Sequence, residues 1–197
     1  MKQPAAFTDG FNDLYNELEL LAEADKKNIA LNIASYYQNL FTQKLNERTG
    51  SDLGYENFLN SDLRSQYLQY YYISANTFNE GEKQMLDKGM DASAYSNAHL
   101  QYHRLLRNYI ENFNIQDLFI IEPVSGHVAY SVKKQAEFGT SLVSGPFNNT
   151  ALAKAFKEIN KDAASRALKY PIQNFICLLM ANPACLCFRP FTKMARK

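Results

Sequence analysis

The sequence contains no tryptophan, and cysteine is absent from residues 1–176. The three cysteines, Cys177, Cys185 and Cys187, lie close together near the carboxyl end, in an odd number and at spacings that match no zinc-binding pattern. A disulfide framework is therefore excluded for the body of the chain, and the cysteines predict no structural zinc site.

Long apolar runs and a large net charge are also missing. No segment approaches the roughly 18 apolar residues of a membrane-spanning helix, and residues 1–10 contain one lysine and no apolar core, so they predict no secretory signal. Basic and acidic residues number 21 and 20, and this balance predicts no attraction to nucleic acid or anionic lipid. Without a phosphate-binding glycine loop or a Ser/His/Asp arrangement of supporting spacing, neither an enzyme nor a cofactor is predicted.

The 197 residues are typical of one domain with a substantial core. Apolar residues recur at three- and four-residue steps over residues 9–48, which predicts one long amphipathic helix. Thr8 or Asp9 is expected to cap its start, and Gly50 to end it. The charged residues 25–27 interrupt the apolar stripe as a stutter or an exposed turn. Residues 1–50 are assigned to this helix.

Three later segments also have helical spacing. Residues 66–75 are rich in tyrosine, and Tyr95–Phe113 places His99, Tyr102 and other aromatic residues on one face. Residues 151–159 form the third segment, with a cap expected from Asn148, Asn149 or Thr150.

A β-hairpin is predicted between the last two of these helices. Residues 118–121 are a short apolar run, residues 123–126 form a turn in which Gly126 can adopt positive φ, and residues 127–132 alternate in character. The alternation predicts that Val128, Tyr130 and Val132 share one face of the second strand.

Residues 117–146 around this hairpin resemble the extracytoplasmic Cache-type (PAS-like) sensor domains of bacterial transmembrane receptors. The matching positions are Asp117, Leu118, Phe119, Ile121, Gly126, Val128, Tyr130, Ser131, Val132, Lys134, Phe138, Gly139, Thr140, Ser141, Leu142, Gly145 and Pro146. The chain departs from the family at Glu122 and Glu137, where aspartate is usual, and at Gln135, where glutamate is usual. Further matches before the hairpin, among them Asn76, Gly81, Lys83, His99 and His103, extend the resemblance to roughly residues 60–158, about half of the chain.

The resemblance implies an α+β fold in which long N-terminal helices pack on a PAS-like antiparallel sheet, here incomplete, with residues 51–165 as the partial sensor domain. It implies a ligand-sensing fragment of a receptor of the chemoreceptor, nucleotide-cyclase or sensor-kinase type. The domain would lie on the periplasmic face of the inner membrane, anchored only through parts of the receptor outside this chain. Its partners would be a small molecule and a second copy, paired through the N-terminal helix.

A ligand pocket is expected where the Tyr95–Phe113 helix meets the hairpin. Tyr102, His103, Tyr130 and Lys134 are predicted to line it, since all four match the family pattern and should converge there. Lys133 and Lys134 would pair with an anionic ligand such as a carboxylate. A plain aromatic core and a solvated strand end are the simpler alternatives for the tyrosines and the lysines.

Two other functions remain open. The chain could be a helical fragment that dimerises through residues 9–48 and binds no ligand. His99 and His103, four residues apart on one helix, could instead hold a metal ion, although the glutamate of the His-Glu-x-x-His signature is missing.

Residues 166–197 differ in character from the rest of the chain. All three cysteines fall there, where the resemblance requires further strands. In the frame that joins the third base of each codon to the first two of the next, Met180-Ala181 and Met194-Ala195 must each encode glycine, because ATG is followed by GC. The family pattern has glycine at both places. This tail is therefore predicted to be an out-of-frame translation, and residues beyond about 165 are expected not to pack on the sheet.

Overall fold

A computed structural model describes residues 5–161 and 175–179, and this part of the chain contains six α-helices and three β-strands. The strands are β1 (Asp117–Ile121), β2 (Val128–Ser131) and β3 (Phe175–Leu179). The helices are α1 (Ala5–Glu19), α2 (Glu23–Tyr36), α3 (Thr42–Thr49), α4 (Leu63–Gln69), α5 (Ala94–Asn112) and α6 (Ala151–Lys161). The α+β class is therefore confirmed. No described helix is both long and apolar enough to cross a membrane.

The N-terminal segment is bent and does not form the single helix predicted over residues 9–48. The chain leaves helical geometry between α1 and α2, where Leu20 is 89% exposed. The break precedes the charged residues 25–27 because the apolar stripe of α1 ends at Leu18 and packs against α5, whereas α2 packs against α4. Thr8 and Asp9 lie inside α1, so neither caps its first turn.

The end of this segment agrees with the prediction. Gly50 follows α3 with φ 66° and donates its amide to the carbonyl oxygen of Asn46, as a glycine C-cap does. Between α2 and α3 the helix continues through a π-helical turn, Tyr37–Phe41. A second π-helical turn, Tyr70–Ser74, extends α4.

Helices α1 and α5 approach each other closely at Gly10. A Cβ atom placed on Gly10 would lie 3.0 Å from the Cα atom of Tyr95, which is closer than nearly all Cβ contacts in proteins, so a side chain at this position would push the two helices apart. Phe7 and Phe11 of α1 are fully buried on either side of the contact. The apolar stripe of α1 is thus buried against other parts of the same chain.

The predicted hairpin is present, and its second strand contains a β-bulge. Strands β1 and β2 are antiparallel, with Ile120 opposite Tyr130 and Ile121 opposite Val128, so that Ala129 is the additional residue. The bulge reverses the alternation, and Val128 packs with α6 on one face of the sheet while Tyr130 packs with α1 and α5 on the other. The prediction that Val128, Tyr130 and Val132 share one face was therefore wrong for Val128.

The sheet is mixed and has the strand order β2-β1-β3. Strand β3 runs parallel to β1, with Asp117 beside Phe175 and Ile121 beside Leu179. This corrects the predicted antiparallel sheet. It also differs from the expectation that residues beyond about 165 do not pack on the sheet, because a five-residue apolar run can pair with a neighbouring strand whatever its origin. The rest of the predicted tail, residues 166–174 and 180–197, lies outside the described residues.

Candidate functional site

A buried polar cluster lies where α5 meets the hairpin, and it contains three of the four predicted site residues. His103, Tyr130 and Lys134 are each at most 1% exposed. Nδ1 of His103 lies 2.7 Å from the Tyr130 hydroxyl, and its Nε2 lies 2.6 Å from the carbonyl oxygen of Gln84. A carbonyl oxygen only accepts, so Nε2 carries the hydrogen and the tyrosine hydroxyl donates to Nδ1. Burial first, and the nearby Lys134 second, lower the pKa of His103 to about 2.

Lys134 is a buried lysine in a left-handed backbone conformation, with φ 53°. Its Nζ atom lies 3.3 Å from the carbonyl oxygen of Ser131 and 3.4 Å from that of Val132. Within the described residues no carboxylate lies within ion-pair distance of this nitrogen. Burial therefore lowers the pKa of Lys134 well below its ordinary 10.5.

Asp117, at the start of β1, fixes the turn that carries the two lysines. Its carboxylate accepts hydrogen bonds from the hydroxyl of Ser131 at 2.7 Å and from the amides of Val132 and Lys133 at 3.1 Å. Burial raises the pKa of Asp117, although these hydrogen bonds oppose the rise. The buried carboxylate of Asp117 therefore fixes the course of the main chain at Lys133 and Lys134, after the end of β2.

The loop before α5 is anchored to the same cluster. Arg107 of α5 donates to the carbonyl oxygen of Gln84 at 2.8 Å and pairs with Asp87 at 3.0 Å. The Nζ atom of Lys83 donates to the carbonyl oxygen of Ile73 at 2.7 Å and pairs with Glu80 at 3.0 Å. Lys83 thus holds the start of residues 80–87, and Arg107 holds their end.

A cavity of about 500 Å³ opens beside this cluster, between residues 36–48, residues 80–84 and residues 133–137. Its volume is within the range of small-molecule sites. Apolar contacts come from residues such as Leu40 and Phe41 of the π-helical turn and Phe147. The basic side chains that line it are Lys44, Arg48, Lys83, Lys133 and Lys134. Only two acidic residues, Glu80 and Glu137, are among the residues that line this cavity, so its walls favour an anion.

Glu137 stands out among the residues that line the cavity. It is half-buried, and the described residues provide no cation within 4.0 Å of its carboxylate. Burial, with a smaller contribution from Asp117, raises the pKa of Glu137 to about 7. Its carboxyl group therefore changes protonation near neutral pH.

The four predicted site residues are thus only partly placed together. His103, Tyr130 and Lys134 converge, but they are tightly packed, and of these three Lys134 alone borders the 500 Å³ cavity. Tyr102 is half-buried on α5 and lies edge-on to Phe7, at 6.2 Å between ring centroids.

Sequence reasoning missed the wall formed by the N-terminal helices. Lys44 and Arg48 are four residues apart on α3, a spacing that places both on one face of a helix. That spacing was visible in the sequence, but the partner of this face was not. Glu137 was noted only as a departure from the family pattern.

The geometry of the two histidines gives no support to a metal site. The rings of His99 and His103 stack at 4.2 Å between centroids, with 25° between their planes, and Nδ1 of His99 contacts the carbonyl oxygen of Asp87 at 2.7 Å. Within the described residues there is no group of three or more His, Cys, Asp or Glu side chains that could hold an ion.

Comparisons with protein-family models, with curated proteins and with solved structures return no match for this chain.

Proposed function

We propose that this chain is a ligand-sensing domain of a bacterial transmembrane receptor, of the Cache (PAS-like) type, and that it binds a small carboxylate in the cavity between α3 and the hairpin. The observation that carries the proposal is the 500 Å³ cavity, which Lys44, Arg48 and Lys133 line without forming an ion pair within the described residues. The resemblance of residues 117–146 to this family supports the sensor assignment.

The charges of the cavity are arranged for an anion with more than one acceptor group. Lys44 and Arg48 line the cavity from α3, and Lys133 lines it from the segment that follows β2. Charge-assisted hydrogen bonds from such groups to a carboxylate are among the strongest that proteins form. A dicarboxylate would therefore bridge these two segments, whereas a neutral molecule of the same shape would leave the cations unpaired.

Such a ligand would connect parts of the chain that are distant in sequence. Residues 44–48 belong to the N-terminal helices, and residues 133–137 follow the hairpin. A ligand shifts a conformational equilibrium only by its differential affinity for the two states. A molecule that contacts both segments would bind more tightly to a state in which they lie close together than to one in which they are apart. In the parent receptor the domain would lie on the periplasmic side and pass this shift to an output module.

Dimerisation through the N-terminal helices is part of the same proposal. Because the apolar stripe of α1 is buried inside the chain, the contact with a second copy would use α2, on which Leu31 is 59% exposed. Light scattering of the purified protein tests this contact independently of any ligand.

A thermal-shift experiment tests the proposed ligand class. Succinate, malate, citrate and acetate are compared with the neutral succinamide, since a ligand raises the melting temperature by mass action. We expect a dicarboxylate to raise it in the wild type, and the double variant Lys44→Ala/Arg48→Ala to lose the shift. Lys154→Ala, an exposed lysine on α6 outside the cavity, is the matched control and should keep it.

Two results would contradict the proposal. One is the absence of a shift with every anion, and with a stable dimer this result would favour the helical interaction fragment. The other is an equal shift in the wild type and in the double variant, which would place the anion elsewhere.

A further inference from the structure

We infer that the cavity binds a carboxylate together with one proton, and that Glu137 is the group that takes up this proton. The inference rests on the proposed function, because it concerns the same cavity, and it adds a coupling that neither the resemblance nor the number of cations implies.

The surroundings of Glu137 carry the argument. Residues 44–48 contribute Lys44 and Arg48 to the cavity, residues 80–84 contribute Glu80 and Lys83, and the hairpin end contributes Lys133 and Lys134. Tyr37 and the buried Asp117 are the other titratable groups that act on the Glu137 carboxyl.

Several of these groups are engaged elsewhere. Lys83 is paired with Glu80 at 3.0 Å and donates to the carbonyl oxygen of Ile73. The Nζ atom of Lys134 is directed at the main-chain carbonyls of residues 131 and 132. Neither lysine therefore neutralises Glu137, and the cations left for a ligand are Lys44, Arg48 and Lys133.

An ionised Glu137 would place an uncompensated negative charge on a wall that the anion must contact. Two carboxylates in a partly desolvated site repel each other, and this repulsion raises the pKa of one of them until it is protonated. Once protonated, the carboxyl group becomes a hydrogen-bond donor to the carboxylate of the ligand. Repulsion is thereby replaced by a short hydrogen bond, and the bound anion in turn favours the protonated form of Glu137.

The sign of the pH effect follows from the free protein. Because burial raises the pKa of Glu137 to about 7, the group is protonated below that pH and ionised above it. The affinity for an anion should therefore be constant at lower pH and fall as the pH rises through the pKa. With one coupled proton the limit is about a tenfold loss of affinity per pH unit.

Calorimetric titration with succinate between about pH 6.5 and about pH 8.5 tests the inference, since both carboxylates of succinate are ionised throughout this range. In the wild type we expect the dissociation constant to rise about tenfold between pH 7.5 and 8.5. Glu137→Gln, whose amide donates a hydrogen bond without titrating, should bind with the wild-type affinity at low pH and lose the dependence. Glu47→Gln, which changes an exposed glutamate of α3 outside the cavity, is the control and should retain it.

A second measurement needs no variant. Titration of the wild type in triethanolamine and in Tris, two amine buffers that differ in ionisation enthalpy and add no competing polyanion, gives the number of protons taken up, and we expect a value approaching one near pH 8. An affinity that does not change with pH, or an equal change in Glu137→Gln, would overturn the inference and leave the proposed function standing. An absence of succinate binding at every pH, in the wild type and in Glu137→Gln alike, would overturn both.

Discussion

The hydroxyl of Tyr95 donates a hydrogen bond of 2.7 Å to the main-chain carbonyl oxygen of Ala129, the additional residue of the β-bulge. Both residues are fully buried. Helix α5 is thus attached to the hairpin at the point where the alternation of β2 reverses.

Tyr95→Phe should lower the free energy of unfolding by about 1–2 kcal/mol, because a buried carbonyl oxygen loses its tyrosine donor. Urea denaturation measures the change. Tyr15→Phe, at a tyrosine that is 60% exposed, should change stability by less than about 0.5 kcal/mol. Equal effects of the two substitutions would show that this bond does not attach α5 to the hairpin.

Lys134→Met should stabilise the protein at neutral pH by about 1–3 kcal/mol, because a buried amine without a carboxylate partner gives way to an apolar side chain of similar length. The pKa of Lys134 in the folded chain lies below its value of 10.5 in the unfolded chain. The unfolded state therefore binds more protons between these two values, and the stability of the wild type rises with pH there. The advantage of the variant should shrink as the pH approaches about 10.

Denaturation curves recorded from pH 7 to about pH 10 measure this difference. The exposed Lys27→Met serves as the control and should show no such trend. A Lys134→Met protein that is less stable than the wild type at every pH would show that the amine is a net stabilising donor to the carbonyls of Ser131 and Val132.

Gly10→Ala should destabilise the protein by about 1–3 kcal/mol. Alanine is the better helix former, but its methyl group would lie 3.0 Å from the Cα atom of Tyr95 and force α1 away from α5. The thermal midpoint measures the change. Asn12→Ala, at an exposed position of α1, should leave it unchanged or slightly raised, and a gain of stability in Gly10→Ala would contradict the close helix contact.

Asp62→Asn tests the charge at the start of α4. Asp62 accepts from the amide of Arg64 at 2.8 Å and pairs with Arg64 and with His127. Burial alone would raise the pKa of Asp62, but the hydrogen bonds from these partners outweigh it and hold the pKa well below 3.8. Asparagine keeps the cap and removes the charge, so the expected loss at neutral pH is about 0.5–1.5 kcal/mol.

The pH dependence of this loss has a definite sign. A carboxylate whose pKa is lower in the folded state stabilises the protein above its unfolded-state pKa, and this contribution is lost as the pH falls. The difference between Asp62→Asn and the wild type should therefore narrow below about pH 4. Asp13→Asn, at an exposed position, should differ little from the wild type in stability, both at neutral pH and below about pH 4.

The elements with strong local signals were predictable from the sequence. Helix α5 has a regular apolar period, and Gly126 marks the turn of the hairpin, so both were predicted with their correct type. The bend after Leu18 was not, because it depends on which partners α1 and α2 find in space. The bulge at Ala129 was not predicted either, because a short alternating pattern does not reveal a single additional residue.

The site was predictable only in part. The order of α5 and the hairpin along the chain was enough to predict that His103 and Tyr130 lie together, because the bulge at Ala129 precedes Tyr130 and leaves it facing α5. The cavity depends on the packing of residues 36–48 against residues 133–137, and no local pattern specifies that contact. The resemblance covers the hairpin, whereas Lys44 and Arg48 lie outside the residues that it covers.

Lys44 and Arg48 of α3 form a cation wall of the cavity. Because the π-helical turn Tyr37–Phe41 precedes them, the position of this cation wall depends on the number of residues in that turn. A π turn holds one more residue than an α turn, and each residue of an α-helix advances its side chain by about 100°. Loss of a single codon from this turn, such as that of the exposed Asn39, would restore regular α geometry and rotate Lys44 and Arg48 by about that angle, away from the cavity. An insertion or deletion of one residue is thus enough to create or abolish the cation wall without any change in the residues that form it.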